Sequence, residues 1–165
     1  YSLGRPEADS PISKEMLHLR ITIETTAAAP IDAVWKAWTT PAQITQWNAA
    51  SDEWCCPTAV NDLRVGGAFC YRMEARDGSV GFDFEGRYTR IVEHELIEYS
   101  LDDDRVVRVE FVPGDDGVTV RETFDAEDEL AAEQQRQGWL AILKRFASHV
   151  AAEQGDAPDG ATRRR

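Results

Sequence analysis

Residues 69–88 read Phe69-Cys70-Tyr71-Arg72-Met73-Glu74-Ala75-Arg76-Asp77-Gly78-Ser79-Val80-Gly81-Phe82-Asp83-Phe84-Glu85-Gly86-Arg87-Tyr88, and this run decides the fold. Two alternating segments flank Asp77-Gly78, a dipeptide favoured in two-residue hairpin turns because it tolerates positive φ. With Asp77 and Gly78 as the loop, Arg76 faces Ser79. Met73 then meets Phe82, Tyr71 meets Phe84, Phe69 meets Gly86, and Arg72 meets Asp83. A slip of one residue would set Phe84 against Arg72 and mix the two faces, which a sheet buried on one side does not tolerate. One face is therefore aromatic and sulfur-rich: Phe69, Tyr71, Met73, Phe82, Phe84 and Tyr88. The other carries Arg72, Glu74, Asp83, Glu85 and Arg87. Gly86 opposite Phe69 leaves room for the ring or marks a bend.

Working outward, Leu17–Thr26 alternates as a half-buried strand. Pro30 opens a helix where its missing N–H costs nothing, and Ile31, Val34, Trp35 and Trp38 form its apolar stripe. Thr40-Pro41-Ala42-Gln43 reads as a capping box that starts a second short helix through Trp47. Thr58–Leu63 is a weak strand; Ala68–Ala75 and Phe82–Val92 are the strong pair already described. Leu96–Leu101, Val106–Val112 and Val118–Phe124 follow, joined by short turns that make neighbours antiparallel. A long helix is expected from about Glu129 to Glu153, with Trp139, Ile142, Leu143, Phe146 and Val150 on one stripe to cover the aromatic face. Gly138 inside that helix costs about 1 kcal/mol against Ala, so a close backbone approach is expected there. An antiparallel meander with helices on one face is an α+β fold. The expected division is a loose leader at 1–16, one domain at 17–153 and a disordered tail at 154–165.

The 165 residues are 42% apolar and include five tryptophans, enough for a real core. The formal net charge of −12 excludes a nucleic-acid or anionic-membrane surface, which needs clustered Lys and Arg. Three cysteines cannot build a disulfide scaffold. No segment approaches a membrane span, so no membrane insertion is expected and a cytoplasmic location is the default. His18, His94 and His149 lie in separate elements without metal-ligand spacing. No nucleophile elbow and no phosphate-binding glycine loop is present. Neither a cofactor nor a metal is expected.

Ala29-Pro30, Val34-Trp35, Trp38-Thr39, Pro41 and Trp47-Asn48 carry a pattern. So do Asp62-Leu63-Arg64-Val65-Gly66-Gly67, Met73, Asp77-Gly78-Ser79 and Phe82-Asp83-Phe84-Glu85-Gly86 with Tyr88. Thr123-Phe124, Glu127, Gln135, Gly138-Trp139, Leu143 and Phe146 complete it. From about residue 17 to 153 the chain resembles the family named after the activator of the heat-shock-protein-90 ATPase. The resemblance implies the helix-grip fold of the START/Bet v 1-like (SRPBCC) superfamily, a curved antiparallel sheet around a long C-terminal helix with a cavity between. Members of that superfamily bind lipids, sterols, polyketides or hormones, some are cyclases, and one branch binds a chaperone. A separate N-terminal chaperone-binding domain is not expected in this stretch, which counts against the chaperone role.

The first expectation is non-catalytic binding of a small apolar molecule between the last helix and the sheet. The candidate ligand-binding residues are Trp38, Trp47, Trp54, Phe69, Tyr71, Met73, Phe82, Phe84, Tyr88, Trp139, Leu143 and Phe146; the same rings can equally be core. A cyclase- or hydrolase-type enzyme using that cavity, and a protein-interaction module that is chaperone-ATPase-activator-like or a homodimer, remain the alternatives. No residue is assigned as catalytic. Asp83 and Glu85 share a strand face, and buried carboxylate pairs divide acid and base roles, but Arg72 beside Asp83 makes a solvated ladder of opposite charges the expected reading. Cys55 and Cys56 invite a nucleophile, a redox pair or half a metal site. An unperturbed thiol is only about 3% thiolate at pH 7, and similar family members have polar residues here. The pair is expected to pack at the rim of the pocket.

Overall fold

The hairpin pairs as its side chains demand. In the computed structural model, which describes residues 20–126 and 128–163, Phe69 stands opposite Gly86, Tyr71 opposite Phe84, Arg72 opposite Asp83 and Met73 opposite Phe82. The loop is longer than the two residues expected. The last pair is Ala75 with Val80, because the Arg76 N–H donates to the carbonyl of Glu53, just before β2, instead of to Ser79. Adding one residue on each side leaves the parity, and hence both faces, unchanged. Gly78 takes φ +80, the left-handed conformation this turn needs.

Seven strands form one antiparallel sheet: β1 (Arg20–Ala27), β2 (Trp54–Asn61), β3 (Ala68–Ala75), β4 (Gly81–Val92), β5 (Leu96–Leu101), β6 (Val106–Gly114) and β7 (Gly117–Asp125). Helices α1 (Ile31–Thr39) and α2 (Pro41–Trp47) lie between β1 and β2, and α3 (Ala132–Arg163) follows β7. The order across the sheet is β1-β7-β6-β5-β4-β3-β2. Strands β2 to β7 are thus a meander, β1 pairs with β7, and the two short helices carry the chain from one edge to the other. The sheet curls around α3, giving the α+β helix-grip architecture. The core lies between: Ile21, Ile23, Val107, Val109, Val118, Val120 and Phe124 from the sheet meet Leu143, Phe146 and Val150 of α3.

Several local expectations are corrected. Strand β2 starts at Trp54, not Thr58. Trp54 pairs with Ala75 and Cys55 with Glu74, and a bulge before Thr58 accommodates Pro57, which has no N–H to give, on this edge strand. Asp62 to Gly67 form a tight loop held by Arg64 N–H to the Asp62 carbonyl and Gly67 N–H to the Arg64 carbonyl. Pro30 is the residue before α1, and its carbonyl accepts from Val34 N–H. Thr40 makes no side-chain cap; its backbone carbonyl takes the Gln43 N–H that a hydroxyl would have served, as well as the Ile44 N–H of the first helical turn. Helix α3 starts three residues later than Glu129 because Asp128 takes the Ala131 N–H in a turn first. It runs to Arg163 and does not end near Glu153, since extending a formed helix is far easier than nucleating one. Leu17–Leu19, the leader, Glu127 and residues 164–165 lie outside the described residues.

Among the described residues no helix is long and apolar enough to cross a membrane.

Candidate functional site

The alternation of β3, β4, β5 and β7 turns one face of each strand toward α3, and the curl of the sheet holds part of that face away from the helix. A cavity of about 140 Å³ results. Its sheet wall consists of Phe69, Tyr71 and Met73 from β3, Phe82, Phe84 and Tyr88 from β4, Ile97 and Tyr99 from β5 and Glu122 from β7. Trp139 and Ile142 of α3 form the opposite wall, and Trp38, Trp47 and Asn48 close the end beside the short helices. Phe82 is 50% exposed, so the cavity meets solvent at the hairpin end.

The rings brace one another. Phe69 contacts Tyr71, Phe84, Tyr88 and Tyr99, with centroids between 4.8 and 6.0 Å. Trp139 stacks on Phe124 and stands edge-on to Phe84. Trp38 and Trp47 stack at 5.1 Å, and the Trp47 indole N–H donates to the Ala37 carbonyl at 3.0 Å. Gly86 is required: a Cβ there would collide with the Ser100 carbonyl oxygen and stand 3.1 Å from the Phe69 ring.

Glu122 is the polar exception on this wall. It is 6% exposed, and its cross-strand neighbours are Ile23 on β1 and Val109 on β6, both buried. Among the described residues it has no hydrogen bond and no ion pair. Burial pushes its carboxyl up to about 8, because an unpaired charge in an apolar site loses its hydration. The acid is therefore largely neutral at pH 7 and available as a hydrogen-bond donor. Burial also holds the Tyr99 phenol well above its ordinary range, with the nearby Glu122 adding to the effect. The Tyr71 and Tyr88 phenols are raised by burial as well.

Of the twelve residues marked from the sequence, nine are brought together on the wall: Trp38, Trp47, Phe69, Tyr71, Met73, Phe82, Phe84, Tyr88 and Trp139. Trp54 is off it, with its ring edge-on to Phe82 at 6.1 Å, so it touches the rim through that side chain. Leu143 and Phe146 are fully buried behind the wall, where Phe146 packs against Trp38 and Trp47. Asn48, Ile97, Tyr99, Glu122 and Ile142 were not marked. Glu122 had a signal: it sits in phase with Val118, Val120 and Phe124 on the inward side of β7. Asn48 had none; it is placed by the end of α2, with its amide 3.8 Å from the Cys56 sulfur.

The polar features that suggested chemistry lie elsewhere. Arg72 bonds Glu74 at 2.9 Å and Asp83 at 3.2 Å, and Asp83 and Glu85 are exposed on the outer face. The three thiols are free. Cys56 is buried and pushed up to about 11, chiefly by that burial. Cys55, on the adjacent position, is partly exposed, as opposite faces of an extended chain require. The expected close approach at Gly138 is absent: a Cβ there would meet open space.

The family model described as Activator of Hsp90 ATPase homolog 1-like protein matches residues 28–151. The solution NMR structure of an AHSA1-like protein from Aeromonas hydrophila is 43% identical, with 82% of this chain and 94% of that one covered and a TM-score of 0.77. A solution structure from Cytophaga hutchinsonii has the same identity and coverage, with a TM-score of 0.70. A crystal structure from Nitrosomonas europaea, at 18% identity and a TM-score of 0.73, shares the fold. No curated protein matches the chain. The chain belongs to the family of Activator of Hsp90 ATPase homolog 1-like proteins.

Proposed function

We propose that the protein binds a small, largely apolar molecule in the cavity between α3 and the sheet. The observation that carries this reading is a wall of aromatic rings around a single buried carboxyl that no residue described here pairs. Pockets for small molecules have this composition, mostly apolar with few polar anchors. The size is suitable, since an apolar cavity of about 150 Å³ holds a benzene-sized molecule. A second reading, catalysis in the same cavity, is favoured by Glu122 itself, because a carboxyl titrating near neutrality is suited to general acid or base work.

Native mass spectrometry of protein purified without denaturation tests binding. A retained small molecule of constant mass is expected, displaced when Ile97→Trp fills the cavity. A reproducibly bare chain that no apolar probe stabilises in thermal-shift assays would refute the proposal. Turnover of an identified ligand, abolished by Glu122→Gln, would move the assignment to the enzyme.

A further inference from the structure

We infer that the ligand class is organic amines, with the ammonium group against Glu122 and the apolar body among the rings. The inference rests on the proposed role of the cavity in binding a small molecule. Three observations lead to it. First, Glu122 is a carboxyl without a counter-charge among the described residues: Ile23 and Val109 flank it, and no basic residue described is on the cavity wall. Arg121 on the same strand bonds Glu24, and Arg108 on β6 bonds Glu98, both on the exposed outer side. Second, the titratable groups that share the wall are Tyr71, Tyr88 and Tyr99, all phenols, so Glu122 is its only carboxyl. Third, the remaining wall is aromatic, and ring faces attract ammonium groups by cation–π interaction.

A neutral ligand would satisfy only part of this arrangement. A hydrocarbon offers the half-enclosed carboxyl no partner while displacing the water that reaches it, which is unfavourable. An ammonium satisfies the carboxylate and the ring faces together. The net charge of −12 also raises the local concentration of cations over anions. The exchange balances as follows: a protonated amine enters, the carboxyl of Glu122 releases its proton to solvent, and an ammonium–carboxylate pair remains.

Isothermal titration with benzylamine, 2-phenylethylamine and 4-phenylbutylamine, each beside its alcohol counterpart, tests this. At pH 7 the best amine is expected to bind at least about tenfold more tightly than its alcohol, a preference of about 1.4 kcal/mol. Titration in two buffers of different ionisation enthalpy should show release of close to one proton per amine bound. In Glu122→Gln, checked for folding by circular dichroism and melting, the amine should lose its preference and the proton release should vanish. If alcohols bind as well as amines without proton release, the amine inference is wrong and the cavity still binds small molecules. Preference for amines that persists in Glu122→Gln overturns the assignment of the anchor. If neither series binds, the inference falls together with the proposed role of the cavity.

Discussion

Trp139 of α3 lies flat on Phe124 of β7, with ring centroids 3.9 Å apart and planes 15° from parallel. The same indole stands edge-on to Phe84 of β4, three strands away across the sheet. One side chain therefore ties the helix to both halves of the curved sheet and roofs the cavity beside Glu122. Trp139→Ala is expected to lower stability by about 2–4 kcal/mol, somewhat below the loss for a fully buried tryptophan. Trp139→Phe keeps one stacking face and should lose less than half of that. Urea unfolding followed by far-ultraviolet circular dichroism measures both.

Glu122 makes stability pH-dependent. Its carboxyl titrates near 8 in the folded protein, and near 4.3 in an unfolded chain (an approximate reference value). Below about pH 4 it is protonated in both states and has no effect. As pH rises toward 8 the unfolded state loses the proton first, so stability falls. The full penalty, on the order of 5 kcal/mol, is reached above pH 8. Glu122→Gln should flatten this decline and be the more stable protein at pH 9. Melting curves from pH 5 to 9 test it; parallel curves for the two proteins would contradict the buried, unpaired carboxyl.

Two glycines should respond in opposite directions. Gly86→Ala drives a methyl into the Ser100 carbonyl and toward the Phe69 ring, and a loss of roughly 1–3 kcal/mol is expected. Gly138→Ala places its methyl in open space within α3, and a gain of about 0.5–1 kcal/mol is expected from helix propensity. Denaturant midpoints decide both signs.

The two adjacent thiols should separate by reactivity. Cys56 is buried and its thiol is pushed up to about 11, so at pH 8 only about 0.1% is thiolate. Cys55 is partly exposed. Alkylation with iodoacetamide at pH 8, followed by peptide mass spectrometry, should label Cys55 at least about tenfold faster than Cys56. The difference should vanish in 6 M guanidinium. Equal rates in the native protein would show that β2 opens readily at the bulge.

Most of the fold was legible because its determinants are local. The hairpin register followed from the clash between Arg72 and the aromatic set, and the same parity carried Phe69, Tyr71, Met73, Phe84 and Tyr88 onto the cavity wall. The turn length was not legible, since the Arg76 N–H is drawn off by Glu53, in the turn before β2. The start of β2 was missed for a related reason: Pro57 argues against a strand, and only pairing of Trp54 and Cys55 with β3 overrides it. Leu143 and Phe146 were on the right stripe, but helical periodicity does not tell a residue that lines a cavity from one that packs behind it.

The sequence by itself determined which side chains share a face, because a period of two residues and one intolerable slip leave a single register. It thereby determined the aromatic face and the solvated charge ladder. Only the tertiary structure decided what Glu122 is. Its state depends on Ile23 and Val109, brought to either side by strand pairing, and on α3 closing the site above it. Those neighbours restrict water without supplying a charge, and it is that environment, not the residue type, that pushes the carboxyl up to about 8.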